Sequence, residues 1–232
     1  MTIFGADISR WQPAGIPARV ANAGCDFLAM KATEGTSVDP TFAAKLAEVR
    51  GTPLLHWGYV FLDSRVSAQA HVDTVSRHVP KNLPLALDVE WRKDAQGRIL
   101  SAPSLPLVWD VLRRLRAAGY HVAFTYFPRW YWEYLGKPPL LGLPPLWSSR
   151  YVDSPTTMRE FRQGFGKVPS SFWDGYGGLS VEILQYTSSA NIGGYQPLDA
   201  DAYRGTRAGL SALLSPGVAP VTTGTPIVVL EG

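Results

Sequence analysis

Short apolar runs that end in acidic or polar side chains alternate along this chain with segments whose apolar positions recur every three or four residues. Ile3 to Ile8, Phe27 to Met30, Pro53 to Phe61, Pro84 to Trp91, His121 to Tyr126, Leu146 to Ser149 and Val181 to Tyr186 read as strands. Between them, Ile16 to Ala23, Pro40 to Arg50, Val66 to Val79, Leu105 to Ala118, Arg129 to Leu135 and Thr156 to Phe165 read as helices, with a closing helix at Ala202 to Leu214. Gly24, Gly51 and Gly119 stand where three of these helices stop, as a C-terminal glycine does. Strands alternating with helices at short spacing predict a parallel α/β architecture. Seven or eight strands with acids at several C-terminal ends favour a closed, TIM-like barrel over an open sheet, irregular toward the C-terminus where the helices weaken. Residues 1–214 are expected to form one barrel domain. Residues 215–232, rich in Pro, Gly and Thr, are expected to be a tail or a final strand.

The most informative run is Pro84-Leu85-Ala86-Leu87-Asp88-Val89-Glu90-Trp91. On a strand, Ala86, Asp88 and Glu90 share one face, and Leu85, Leu87 and Val89 share the other. Such a strand turns its bulky face to outer helices and its small, then acidic, face inward, with the acids at the barrel mouth where chemistry sits. Two carboxylates roughly 6.5–7 Å apart along a strand do not ionise independently in a dry cleft, and one becomes an acid near neutral pH. The same reading puts Asp7 at the mouth end of the first strand, and Asp199 and Asp201 just after the last one. One cleft ringed by acids and walled by aromatics is what glycoside hydrolysis uses.

Composition narrows the alternatives. An apolar fraction of 46% with 18% charged residues is globular, and no apolar run is long enough to span a membrane. The formal charge of +3 is compatible with a polyanionic wall, and no basic cluster interleaved with aromatics suggests a nucleic-acid groove. One cysteine, Cys25, excludes an internal disulfide and reads as a buried structural thiol. Four scattered histidines give no metal-ligand spacing, so neither a metal nor a cofactor is expected. The N-terminus lacks a basic, apolar leader, so the expectation is a chain with no signal peptide.

Several blocks together resemble glycoside hydrolase family 25, the N-acetylmuramidase or lysozyme family of bacteria, fungi and phages. They are Gly5-Ala6-Asp7-Ile8-Ser9-Arg10-Trp11-Gln12, Met30 to Thr36 with Asp39-Pro40-Thr41-Phe42, Leu87-Asp88-Val89-Glu90, Leu146 to Tyr151, and Gln185-Tyr186-Thr187-Ser188 followed by Asp199-Ala200-Asp201. The resemblance implies a (β/α)5β3 barrel that cuts the β-1,4 bond between N-acetylmuramic acid and N-acetylglucosamine. It implies Glu90 as general acid, Asp88 assisting the substrate acetamido group, and Asp7 and Asp199 completing the acidic ring. Asp201 stands where the family has Asn, so Asp199 is the better match for the fourth acid. Arg10 and Val60 stand where histidines are common.

Tyr59, Tyr126, Trp147, Gln185 and Asp201 are the expected substrate-binding residues. Lys31 and Glu34 read as a structural pair beside the cleft, and Trp57, Trp109, Trp130 and Trp132 as packing. The expected partner is the peptidoglycan glycan strand, met by a monomeric enzyme of the phage endolysin kind. Such an enzyme would be made in the host cytoplasm and released by a holin-type route to act on the cell wall. A chitinase is the competing enzyme, although Ala86 occupies the place of its preceding acid. A non-catalytic glycan-binding module is the competing non-enzyme.

Overall fold

Strands that neighbour one another in sequence also pair edge to edge in space. The computed structural model describes residues 1–152 and 159–217. Eight strands close into a barrel: β1 (Ile3–Ile8), β2 (Phe27–Glu34), β3 (Leu55–Phe61), β4 (Leu85–Asp88), β5 (Val122–Tyr126), β6 (Leu146–Ser149), β7 (Val181–Ile192) and β8 (Tyr195–Tyr203). Pairing is parallel from β1 through β7. It is antiparallel between β7 and β8 and between β8 and β1. Each of the first five strands is followed by a helix: α1 (Ile16–Asn22), α2 (Phe42–Arg50), α3 (Ala68–His78), α4 (Leu105–Ala117) and α5 (Arg129–Tyr134). After β6 the covering thins to α6 (Phe161–Phe165) and a 3-10 turn at Ser170–Trp173, and α7 (Arg207–Leu213) follows β8. The architecture is therefore (β/α)5β3.

Local chemistry explains the helices. Ser67 caps α3 by accepting from the Ala70 N–H, and a proline occupies the first turn of both α1 and α4. On α4, Val108, Val111, Leu112 and Leu115 form one buried stripe at helical spacing. The strands obey the period of two. Leu85, Leu87 and Val89 join the core between barrel and helices, whereas Ala86 joins the core inside the barrel. Lower in the barrel, Trp57 stacks on Phe27 at 5.5 Å and meets Phe124 and Trp147 edge-on or tilted. Leu210 and Leu214 pack into the same interior cluster. The barrel axis is thus filled from below, and only its upper end stays polar. Burying aromatic rings of this size removes about 150–250 Å² of surface each from water. Cys25 is buried, and burial pushes its thiol up to about 12.

Three expectations need correction. The last clear strand does not stop at Tyr186 but runs to Ile192, turns at Gly193–Gly194 and returns as β8. The turn needs glycines: φ is +58° and +77°, and a Cβ on Gly193 would sit 2.8 Å from the Arg19 carbonyl oxygen. The expected helix from Ala202 is therefore strand through Tyr203, and α7 starts only at Arg207. The expected helix at Thr156 to Phe165 is cut to α6, because Arg159–Glu160 pairs with Ala190 and Asn191 of β7 as a short strand. Its first three residues, and the tail from 218 onward, lie outside the described residues. The loop after Glu90 also carries a small hairpin, Arg92–Lys93 against Ile99–Ser101. Among the described residues, no helix is long and apolar enough to cross a membrane.

Candidate active site

The parallel strands all aim their C-terminal ends at one mouth, and β8 reaches it by its first half because it runs the other way. That geometry sets Asp199 of β8 directly across from Asp7 of β1 in the ladder. The mouth holds a cleft of about 220 Å³. Asp7, Asp88, Glu90 and Asp199 line it, together with Lys31, Tyr59, Phe61, Tyr126, Trp147, Tyr151 and Gln185. All four acids expected from sequence therefore meet in one place, although they come from three strands far apart in sequence.

A hydrogen-bonded frame stands behind the acids. Gln185 donates from Nε2 to Asp7 Oδ2 at 2.6 Å. Its Oε1 accepts from the hydroxyls of Tyr126 at 3.0 Å and Tyr151 at 2.8 Å. The amide can therefore face only one way, with its N–H₂ toward Asp7. Trp147 donates from Nε1 to Asp201 Oδ1 at 2.8 Å. Asp201 is fully buried and does not line the cleft. The second oxygen of Asp201 and one oxygen of Asp88 are buried without a hydrogen-bond partner among the described residues.

Burial, with Lys31 as the one cation among the described residues of the cleft lining, raises the carboxyl pKa values. Asp7 is pushed up to about 6, chiefly by burial, with the hydrogen bond from Gln185 and then the neighbouring Asp201 pulling it back. Glu90 is pushed up to about 7 by burial and then by the charge of Asp7, against the pull of Lys31. Asp88, Asp199 and Asp201 are raised well above the ordinary range, again by burial first. For Asp88 the next cause is Glu90, and for Asp199 and Asp201 it is Asp7. The cleft thus holds fewer charges than carboxyl groups, and protons are available in it near neutral pH.

The flank beside β2 and β3 is different. Lys31 pairs with Glu34 at 2.5 Å, and Arg65 forks onto Asp63 with Nε 2.9 Å from Oδ1. Hydrogen bonds from Arg65 hold Asp63 down at about 2.

Of the expected substrate-binding residues, Tyr59, Tyr126, Trp147 and Gln185 line the cleft and Asp201 lies behind it. Tyr59 and Tyr126 also pack edge-on against Trp147, with centroids 6.1 and 5.0 Å away, and all three are at most 8% exposed. They present little ring surface to a ligand. Trp57 is interior packing, whereas Trp109 and Trp130 are more than a third exposed. Sequence reasoning passed over Tyr151 and Phe61 as lining residues. Tyr151 sits at the end of the Leu146 to Tyr151 block, two residues past β6, and that position was the available signal. Among the described residues, no group of three or more His, Cys, Asp or Glu side chains is arranged to hold a metal ion.

Comparison with known proteins extends this picture. The model of Glycosyl hydrolases family 25 matches residues 6–195. The chain is similar to the bacterial lysozyme of Streptomyces coelicolor, with 24% identity and a TM-score of 0.69 over 91% of this chain and 96% of that one. It is similar to a family GH25 lysozyme from Aspergillus fumigatus, with 22% identity and a TM-score of 0.71 over 93% and 100%. It is also similar to the catalytic domain of endolysin ply40 from bacteriophage P40 of Listeria monocytogenes, with 18% identity and a TM-score of 0.64 over 92% and 97%. No curated protein matches it.

Proposed function

This chain belongs to family 25 of the glycosyl hydrolases and is a glycoside hydrolase, and from that premise we propose that it is an N-acetylmuramidase. The bond it cuts is the β-1,4 link from N-acetylmuramic acid to N-acetylglucosamine in peptidoglycan. The observation that carries this reading is the set of four cleft carboxyls with Glu90 pushed up to about 7. Glu90 is then protonated often enough near neutral pH to give its proton to the leaving glycosidic oxygen. Positive charge grows at the anomeric carbon as that bond breaks. Asp88, two residues earlier on the same face, receives the acetamido N–H and stabilises the oxazolinium-like centre formed when the acetamido oxygen closes on that carbon. Water opens the ring, and Glu90 takes the proton back. Asp7 adds negative potential to the developing cation, Asp199 completes the acidic ring beside it, and Gln185 fixes the direction of Asp7.

The reading extends to a lysin of the phage kind, released to a bacterial wall; likeness in fold to an endolysin catalytic domain supports it. The test is reducing-end release from purified peptidoglycan, with product masses, for the wild type and Glu90→Gln. Muramic-acid reducing ends that vanish in the variant are the expected result. Cleavage of chitin oligomers alone, or wall binding without cleavage by either form, would replace it with the chitinase or binding-module reading. Lysis of intact cells by added protein tests the extension.

A further inference from the structure

A second cavity, of about 400 Å³, opens on the same rim as the acidic cleft. Lys31 lines both, so the two spaces adjoin. The residues that follow β1, β2 and β3 build the second one, together with the hairpin that starts two residues after Glu90. Its four cations, Arg10, Lys31, Arg65 and Arg92, face three acids, Glu34, Asp39 and Asp63.

These charges do not cancel in place. Asp39 spends its carboxylate on the Arg10 N–H and on Thr41. Asp63 takes the Arg65 fork, and Glu34 takes Lys31. Two guanidinium groups are left underused. Arg10 lies over the Trp11 ring at 4.9 Å and pairs with no carboxylate among the described residues. Arg92 reaches Glu34 only at 3.4 Å and Asp63 at 3.7 Å. Both exceed the about 2.7–2.9 Å of a charge-assisted hydrogen bond. The Arg92 Nε is buried with no acceptor among the described residues. Forked donors left short of acceptors at the wall of a polar cavity are completed by a carboxylate ligand.

Electrostatics decides where such a ligand goes. The acidic cleft repels an anionic substituent, and the arginine flank attracts it. Trp11, 75% exposed beside Arg10, adds an apolar face for short alkyl side chains. We propose that this cavity binds a carboxylate of the peptide substituent carried by the muramoyl sugar, so that the enzyme prefers peptide-bearing glycan to bare glycan. The inference rests on the muramidase reading and deepens it.

The experiment compares steady-state cleavage of purified peptidoglycan with that of the same glycan after its peptides are removed by an amidase. Wild type, Arg92→Gln and Arg10→Ala are assayed on both. The wild type is expected to show a KM about tenfold lower on the peptide-bearing polymer with similar kcat, the scale of one charged hydrogen-bond pair. Arg92→Gln is expected to lose that preference and keep the wild-type rate on bare glycan, which also reports that it folds. Arg10→Ala, at an exposed position, is expected to lose part of it. Equal cleavage of both polymers by the wild type would overturn the peptide site and leave the muramidase intact. So would variants that slow both polymers alike. Cleavage of neither polymer would overturn both.

Discussion

Two carboxylates on the same barrel rim, Asp63 and Glu90, have opposite surroundings and opposite chemistry. Asp63 has Arg65 in a fork and is held at about 2. Glu90 sits among other acids with only Lys31 in opposition and is pushed up to about 7. Both follow a strand of the same parallel set. Strand-end position therefore does not define a catalytic acid; the surrounding charge does. On the flank, cations outnumber acids and the region is built for structure or recognition. In the cleft, acids exceed cations and protons are retained.

The sharpest way to break this comparison is Glu90→Gln. It removes the proton donor at nearly constant shape, so kcat should fall between about 10² and 10⁴-fold, measured by reducing-end release, with the circular dichroism spectrum unchanged. Full activity would move the acid elsewhere in the cleft. Next comes pH. Above about 7, set by Glu90, kcat/KM should fall about tenfold per unit. Below about 6 it should fall as Asp7 takes up a proton. A plateau extending past pH 9 would contradict this assignment.

Asp201 sharpens the comparison from behind the cleft. One oxygen accepts from Trp147, and the neighbouring Asp201 pulls Asp7 back toward ionisation. Burial raises Asp201 well above the usual carboxylate range, which favours its protonated form, and only that form has a proton to donate toward Asp7. Asp201→Asn keeps an acceptor and a donor, and should retain activity within about threefold, whereas Asp201→Leu should lose about tenfold or more and shift the acid limb upward. Equal losses in both variants would refute a donor role.

Stability separates the two acids by sign. Glu90 binds its proton more tightly folded than unfolded, so its contribution falls as pH rises from the ordinary carboxylate range through about 7. The melting temperature of Glu90→Gln should therefore exceed the wild-type value at pH 8 and match it near pH 5. Asp63 contributes stability above the ordinary range that is lost as pH falls through about 2. Asp63→Asn should lower the melting temperature slightly at pH 7 and leave kcat within about twofold, the smallest effect of the series, because its arginine is largely exposed.

Much of this site was legible in the chain because strands impose a period of two. Ala86, Asp88 and Glu90 were readable as one inward face, and Asp7 as another inward acid, without tertiary information. The return strand β8 was not, for identifiable reasons. Pro197 argues against a strand, and Asp199-Ala200-Asp201-Ala202 is polar and small where strands are usually bulky. Its acids point into the barrel, and its alanines belong to the outer core. The Gly193-Gly194 pair was the legible hairpin signal. The wiring of Gln185 to Asp7 and of Trp147 to Asp201 was also illegible, since each bond joins residues far apart in sequence. Burial was equally hidden: spacing gives the neighbours of an acid along one strand, but not how dry its cleft is.

The antiparallel strand β8 also bears on when the enzyme becomes an enzyme. It is the piece that joins β7 to β1, and it brings Asp199 to Asp7 across almost the whole chain. A nascent chain that ends before Tyr195 holds Asp7, Asp88 and Glu90 but has an open sheet edge where β8 belongs. Contacts of such long sequence separation form late in folding. The cleft is therefore completed only when the last strand is made, so the growing polypeptide passes through synthesis without its full set of acids in place.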